Sequence, residues 1–281
     1  MMRIAILVLV LLVGGCGAAG SAPAPTRADS SKRASRIVSI NPCIDAVLMR
    51  VADAAQITAI SHYSRDPRAT SIPIAVARRF RATSGTAEEI LALRPDLVLL
   101  SGALPPATAV ALARLHVRTL ELPLPQSLAE SEAQVRTIAN AVGQPERGAV
   151  LAGRIATAVR RAQPPQGAPV PALIWQGGGL VPAGGTLPDE MLRAAGFVNL
   201  GAAYGLKNWD ILPMEYLVAK PPDVLLTAQH SGRDDRQLGH PVMRRLRDRI
   251  AVRDFPERLL FCGGPTIIDV MNRLSAVRRS L

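Results

Sequence analysis

Lysine is nearly absent from this chain. Lys32, Lys207 and Lys220 are the only examples, so the formal charge of +11 and the pI near 10.8 rest almost wholly on arginine. Aromatic residues are scarce too, with three Tyr, four Phe and two Trp in 281 residues. A nucleic-acid surface needs basic residues gathered along one face and rings on which bases stack. Here the arginines are scattered and the rings few, which excludes nucleic acid as the partner. Such a charge otherwise suits anionic lipid, an acidic small molecule, or a solvated basic surface. Long apolar runs are missing as well: the longest is Ile4 to Val13, ten residues, too few to cross about 30 Å of hydrocarbon as a helix.

Motifs of catalysis are also lacking. There is no G-x-S-x-G elbow, no G-x-x-x-x-G-K-[ST] phosphate loop, no C-x-x-C pair and no H-E-x-x-H. The glycine-rich "GGGLVPAGG" at 177–185 does not match G-x-G-x-x-G. The four histidines, His62, His116, His230 and His240, lie far apart, so a metal site would need them to meet in the fold. His62 and His230 each follow an expected strand, at the carboxyl edge where α/β proteins bind ligands.

What is present begins with an export signal over residues 1–15: Arg3, the apolar run, then small residues before Cys16. Its ending "VGGC" resembles a bacterial lipobox, in which the cysteine is lipidated and becomes the first residue of the mature chain. Residues 16–35, rich in Ala, Ser and Pro, then read as a flexible tether. Cys43 and Cys262 remain. An oxidising compartment allows them to pair, and two separate buried thiols satisfy the sequence equally well.

Two stretches say nearly the same thing. "EEILALRPDLVLL" starts at Glu88 and "EYLVAKPPDVLL" at Glu215; Glu88 to Glu215, Pro95 to Pro222 and Asp96 to Asp223 are each 127 apart. Each copy opens with an acid suited to the first turn of a helix. A proline then bars further helix, and a continuous apolar run follows, as in strands buried on both faces. A helix feeding a buried parallel strand, repeated once at this distance, predicts two α/β lobes, each with its own core, and no solenoid. The rest of the chain agrees. Strands are expected at "RIVSI", Ile57–Ile60, "VRTLEL", "ALIWQ" and "ERLLFCGG", and helices over 44–51, 107–115, 127–142, 187–195 and 267–278. Pro145 to Arg161 is a further helix, roughly 25 Å long. Lobes over 36–143 and 167–281 are thus joined by an interlobe helix within 144–166.

The wording "RIVSINP", "ITAISHYSRDP", "AEEILALRPDLVL", "AGFVNLG" and "MEYLVAKPPDVLL" resembles the periplasmic solute-binding proteins of ABC importers for vitamin B12 and ferric siderophores, from Arg36 to Leu281. The resemblance implies two Rossmann-like α/β lobes joined by a long rigid helix, a ligand cleft between them, and little hinge motion. It implies a monomer with no cofactor, no catalytic residue and no metal ligand set. Its partners would be a permease dimer with ATPase subunits, a metal chelate, and the membrane through lipid on Cys16. Glu88 and Glu215 match the carboxylates that dock into arginine pockets of the two permease subunits. Tyr63 and Trp209 match aromatic positions that flank cobalamin; another family aromatic is not in place, and Phe80 lies near it but out of register. Asn41, Trp175, Gln176, Gln229 and His230 complete the expected cleft. Arg65, Arg68, Arg78, Arg79 and Arg81 stand at the same rim and suit a carboxylate-bearing chelate, such as a siderophore or heme. Rival expectations are a cell-envelope enzyme using this cleft and a binder of free metal ions.

Overall fold

The computed structural model describes residues 34–164, 167–228, 240–246 and 249–281. The apolar runs become strands of two parallel sheets. The first has β1 (Ile37–Ser39), β2 (Ile57–Ser61), β3 (Ala82–Thr83), β4 (Leu97–Ser101) and β5 (Arg118–Leu122) in the order β3-β2-β1-β4-β5. In the second lobe β6 (Val170–Gln176), β8 (Phe197–Asn199), β10 (Val224–Ala228) and β11 (Ala251–Asp254) run β11-β10-β6-β8. Between them in sequence, β7 (Leu180–Pro182) and β9 (Trp209–Ile211) form a separate antiparallel pair that sets Trp209 opposite Pro182.

The repeated stretch is structural to the residue. Helix Ala87–Ala92 and β4 are followed, 127 positions later at both ends of each element, by helix Met214–Ala219 and β10. Their entries match as well: Asp96 N–H donates to the carbonyl of Arg36 at 3.0 Å, and Asp223 N–H to that of Pro171 at 2.9 Å. β4 lies between β1 and β5, as β10 lies between β6 and β11, so the two lobes are versions of one design.

The cores depart from the expected separation. Alternate residues of each central strand face opposite sides. Leu97 and Leu99 in β4, and Ala172, Ile174, Val224 and Leu226 in the second sheet, all join one cluster that runs through both lobes across Leu151 and Ile155 of helix Pro145–Ala162. Only the outer faces have private cores, around Val98 and Leu100 in one lobe and Leu173, Trp175 and Leu225 in the other. The 18-residue interlobe helix is therefore a shared wall. One expected strand also fails: Pro256 caps a 3₁₀ turn over Glu257–Leu259, whose last residue Leu259 is buried, and β11 is the last strand among the described residues.

A short seam joins the lobes in front of that wall. Cys43, in the first turn of helix Pro42–Val51, is disulfide-bonded to Cys262 across 219 residues, with Cα atoms 5.0 Å apart. Gly264 N–H donates to Ser131 Oγ at 2.7 Å, Ser71 and Thr266 hydroxyls pair at 2.7 Å, and Leu128 N–H donates to Glu190 Oε2 at 2.7 Å. Glycine is required here: a Cβ on Gly263 would lie 2.5 Å from Ser131 Oγ, and one on Gly264, at φ +60°, 2.8 Å from Val47 Cγ2.

Helix Pro42–Val51 also buries a charge-bearing group. Asp45 is fully buried, and desolvation, only partly offset by hydrogen bonds from Ser64 and Ser61 and by the nearby Ser39 hydroxyl, pushes its carboxyl up to about 7 from the ordinary 3.8. A group with a raised pKa favours the fold below pH 3.8, and that advantage is lost as pH rises to about 7. The difference corresponds to roughly 4 kcal/mol. Asp45→Asn, which keeps an acceptor and cannot ionise, should abolish this loss. Urea midpoints at pH 4.5 and 7.5 test it: the wild type should weaken more than the variant over that interval, and parallel behaviour would mean Asp45 ionises at its ordinary pH.

Candidate functional site

The carboxyl ends of both sheets face the seam, and there a cavity of about 150 Å³ opens between the lobes. The first lobe supplies Leu124, Pro125 and Gln126 from the loop after β5; the second supplies Gln176, Leu180, Trp209 and Phe261. Trp209 reaches it because β9 is held against β7, itself turned out by the glycine-rich stretch at 177–179. Gln176 is the last residue of β6, where the strand leaves the core.

Trp209 and Gln176 are the expected residues that this cavity brings together. Trp175, one position earlier, does not join them: its ring is fully buried with Leu173, Leu200, Leu212 and Leu217 on the outer face of the second sheet. Odd positions of β6 face that core and the strand end alone is free to turn toward the cleft. Asn41 lies at the edge of the first lobe, but its amide oxygen caps helix Pro42–Val51, accepting from Cys43 N–H at 2.9 Å and Ile44 N–H at 3.2 Å. Phe80 is half-buried against the shared core and its carbonyl accepts from the Arg65 guanidinium, so its ring serves the lobe interior. Gln229, His230 and Cys16 lie outside the described residues. Leu124 and Phe261 were missed by sequence reasoning. Phe261 is 42 % exposed and sits beside Cys262, a place that follows only from the disulfide.

Tyr63 stands apart from the cavity wall, 53 % exposed on the 3₁₀ turn His62–Arg65 that follows β2. Its ring packs on His62 with centroids 4.0 Å apart, and His62 Nδ1 lies 3.2 Å from the carbonyl oxygen of Thr83. A polar chain leads from this turn toward the cavity. Asp66 N–H donates to the Tyr63 carbonyl, and the Arg68 guanidinium bonds both Asp66 oxygens at 3.0 and 2.8 Å. Asp66, with a smaller contribution from Glu257 of the other lobe, holds Arg68 above its ordinary pKa. Gln176 Nε2 donates to Glu257 Oε1 at 3.5 Å. Arg78 and Arg79, both exposed, make no side-chain hydrogen bond or ion pair among the described residues.

Glu88 and Glu215 are both exposed in the first turn of their helices. Glu89, the neighbour of Glu88, is committed to the lobe: it accepts from Thr83 Oγ1 and Ser84 N–H, each at 2.7 Å, which lower its pKa, Thr83 most. Glu88 and Glu215 form no hydrogen bond or ion pair through their carboxylates among the described residues. No group of three or more His, Cys, Asp or Glu comes together among the described residues in a way that could hold a metal ion.

No curated protein matches the chain. Solved structures do. The periplasmic heme-binding protein RhuT from Roseiflexus sp. RS-1 superposes with a TM-score of 0.67 at 24 % identity, over 86 % of this chain and 97 % of that one. The periplasmic heme-binding protein HutB of Vibrio cholerae gives 0.72 at 16 %, over 86 % and 98 %. The periplasmic vitamin B12-binding protein BtuF of Vibrio cholerae gives 0.65 at 20 %, over 88 % and 97 %. At these identities the likeness establishes the fold, two α/β lobes with a cleft between them. Residues 37–247, about three quarters of the sequence, match the family model described as periplasmic binding protein. The chain belongs to the periplasmic binding protein family.

Proposed function

We propose that this protein captures a metal-chelate nutrient, cobalamin or an iron chelate such as a ferric siderophore or heme, in the cleft between its lobes and delivers it to the permease of an ABC importer without altering it. The observation that carries this reading is the placing of Trp209 on an apolar cavity between lobes. A flat ring buries much ligand area at small entropic cost. A cavity of about 150 Å³ accommodates one edge of such a ligand; pockets that enclose a drug-sized molecule run from about 300 Å³ upward. The remainder would lie against Tyr63 and Phe261, with Arg78 and Arg79 available to carboxylates. Structural relatives that bind heme and vitamin B12 support the class. The lobes, covalently joined at the seam and sharing one core, would accept ligand with little closure. Lipid on Cys16 would hold the protein at the membrane; of the expected tether over 16–35, Ala34 is buried and Ser35 donates to Asp96, so these two belong to the folded body, and the rest lies outside the described residues.

The test is tryptophan fluorescence of the folded chain titrated with cyanocobalamin, hemin and ferric siderophores. Trp175 is sealed in the core and out of contact with the cavity, so the largest saturable quenching should come from Trp209 and shrink in Trp209→Phe to what energy transfer from Trp175 leaves. Micromolar or tighter binding by one compound, weakened tenfold or more by Trp209→Ala as read by the compound's own absorbance, is the expected result; an aromatic anchor at the centre of a site commonly contributes that much. Silence from every compound would remove the chelate reading and favour an enzyme in the same cleft.

A further inference from the structure

We propose that Asp45 is a positioning residue for the ligand site, holding from beneath the turn that presents Tyr63. The inference rests on the reading that Tyr63 meets the ligand. Asp45 is fully buried, and so are Ser61 and Ser64, which bracket His62 and Tyr63. Asp45 Oδ2 accepts from Ser61 N–H at 2.9 Å and from Ser64 Oγ at 2.6 Å. Ser61 Oγ in turn accepts from Tyr63 N–H at 3.3 Å. One carboxylate oxygen thus holds the turn at its cap, Ser61, and at its third residue, Ser64, while the ring of Tyr63 between them stays exposed.

The other oxygen, Oδ1, has no hydrogen-bond partner among the described residues. A buried acid with an unmatched oxygen costs stability, and such costs persist where function needs them. Two donors converge on one oxygen here, and a carboxylate is the strongest acceptor for both at once. Among the described residues the polar groups acting on Asp45 are the uncharged Ser39, Ser61 and Ser64. On the turn, His62 is directed to the Thr83 carbonyl and Arg65 to that of Phe80. On the same helix Arg50 is exposed, and Arg147 of the interlobe helix is taken by Asp53 and the Val51 carbonyl. The titration of Asp45 therefore reports on this turn alone. The helix that carries Asp45 is itself tied to the other lobe two residues earlier, at Cys43, so the turn is referenced to the whole cleft.

The experiment compares Asp45→Ala, Asp45→Asn, Ser64→Ala and Tyr63→Ala with the wild-type chain, using hemin and cyanocobalamin as probes and hydrogen exchange over residues 61–66. Asp45→Ala and Ser64→Ala should raise exchange in this segment about tenfold, leave β4 and β10 protected, and weaken probe binding as much as Tyr63→Ala does. Asp45→Asn should retain binding and flatten its dependence on pH between 5 and 8. Ser64→Ala carries the test if Asp45→Ala does not fold. Loosened exchange with unchanged affinity, while Tyr63→Ala weakens binding, would overturn the positioning role and leave the cleft reading standing. Unchanged affinity in Tyr63→Ala, or no binding of either probe by the wild type, would overturn the reading beneath it and this inference together.

Discussion

Replacing both Cys43 and Cys262 by alanine should lower the unfolding free energy by about 2–5 kcal/mol, the usual range for removal of a native disulfide. For a chain of this size that is a fall in Tm of roughly 5–15 °C. The bond closes a loop of 219 residues, so the unfolded chain it constrains is long, and a chain-entropy argument puts the effect toward the upper end of that range. Native packing argues the same way. Cys262 is 1 % exposed beside Gly263 and Gly264, which fit only at close approach to Ser131 and Val47, so the cross-link sits where the lobes are already tightest. The variant should still fold, because the shared core and the bonds Ser71–Thr266, Ser131–Gly264 and Leu128–Glu190 do not depend on sulfur. Urea denaturation of the two chains without reductant measures the loss. Coincident curves would show that the remaining seam alone sets the stability, and would also remove the reason to expect a cleft of fixed width.

The fold was legible wherever one pattern served one purpose. The apolar runs of β4 and β10 are buried on both faces, and the prolines at 95 and 222 mark where helix must stop, so the duplicated unit could be placed without error. The disulfide was not legible, since chain distance says nothing about whether two cysteines meet. The shared core escaped for a related reason: periodicity shows that Leu151 and Ile155 are apolar on one face of a helix, but not that both sheets lie against it. Cleft residues were harder still. Trp175 and Gln176 are neighbours in sequence with opposite fates, because a strand alternates its faces and only its end is released from the sheet. An Asn before a helix reads equally well as a ligand contact or a cap, and in Asn41 the cap takes the amide oxygen. Trp209 was indicated by the family resemblance alone, because the pairing of β7 with β9 that presents it has no strong sequence signal in three-residue strands.

The largest functional effect should come from two residues outside the cavity lining. A chain carrying Glu88→Ala together with Glu215→Ala should bind its ligand with unchanged affinity and lose at least nine tenths of transport through its permease. Each carboxylate is exposed, unpaired among the described residues, and set in the first turn of a helix whose position is reproduced 127 residues later in the second lobe. Two matched acids on two matched lobes suit a partner with two matched basic sites, and truncating one member of a docked charge pair commonly costs about 2 kcal/mol or more. Each single variant should therefore weaken docking roughly tenfold to hundredfold, and the two should be alike, because the surroundings repeat. Their helices will hardly register the change, since a first-turn acid contributes some tenths of a kcal/mol to an exposed helix. Uptake of the quenching compound into cells or vesicles bearing the permease, measured beside fluorescence binding, separates delivery from capture. If transport survives the double variant, the duplication of Glu88 and Glu215 is a feature of helix initiation and the permease contact lies elsewhere. If one single variant abolishes transport and the other is silent, the partner reads only one lobe, and the internal symmetry of the chain serves folding alone.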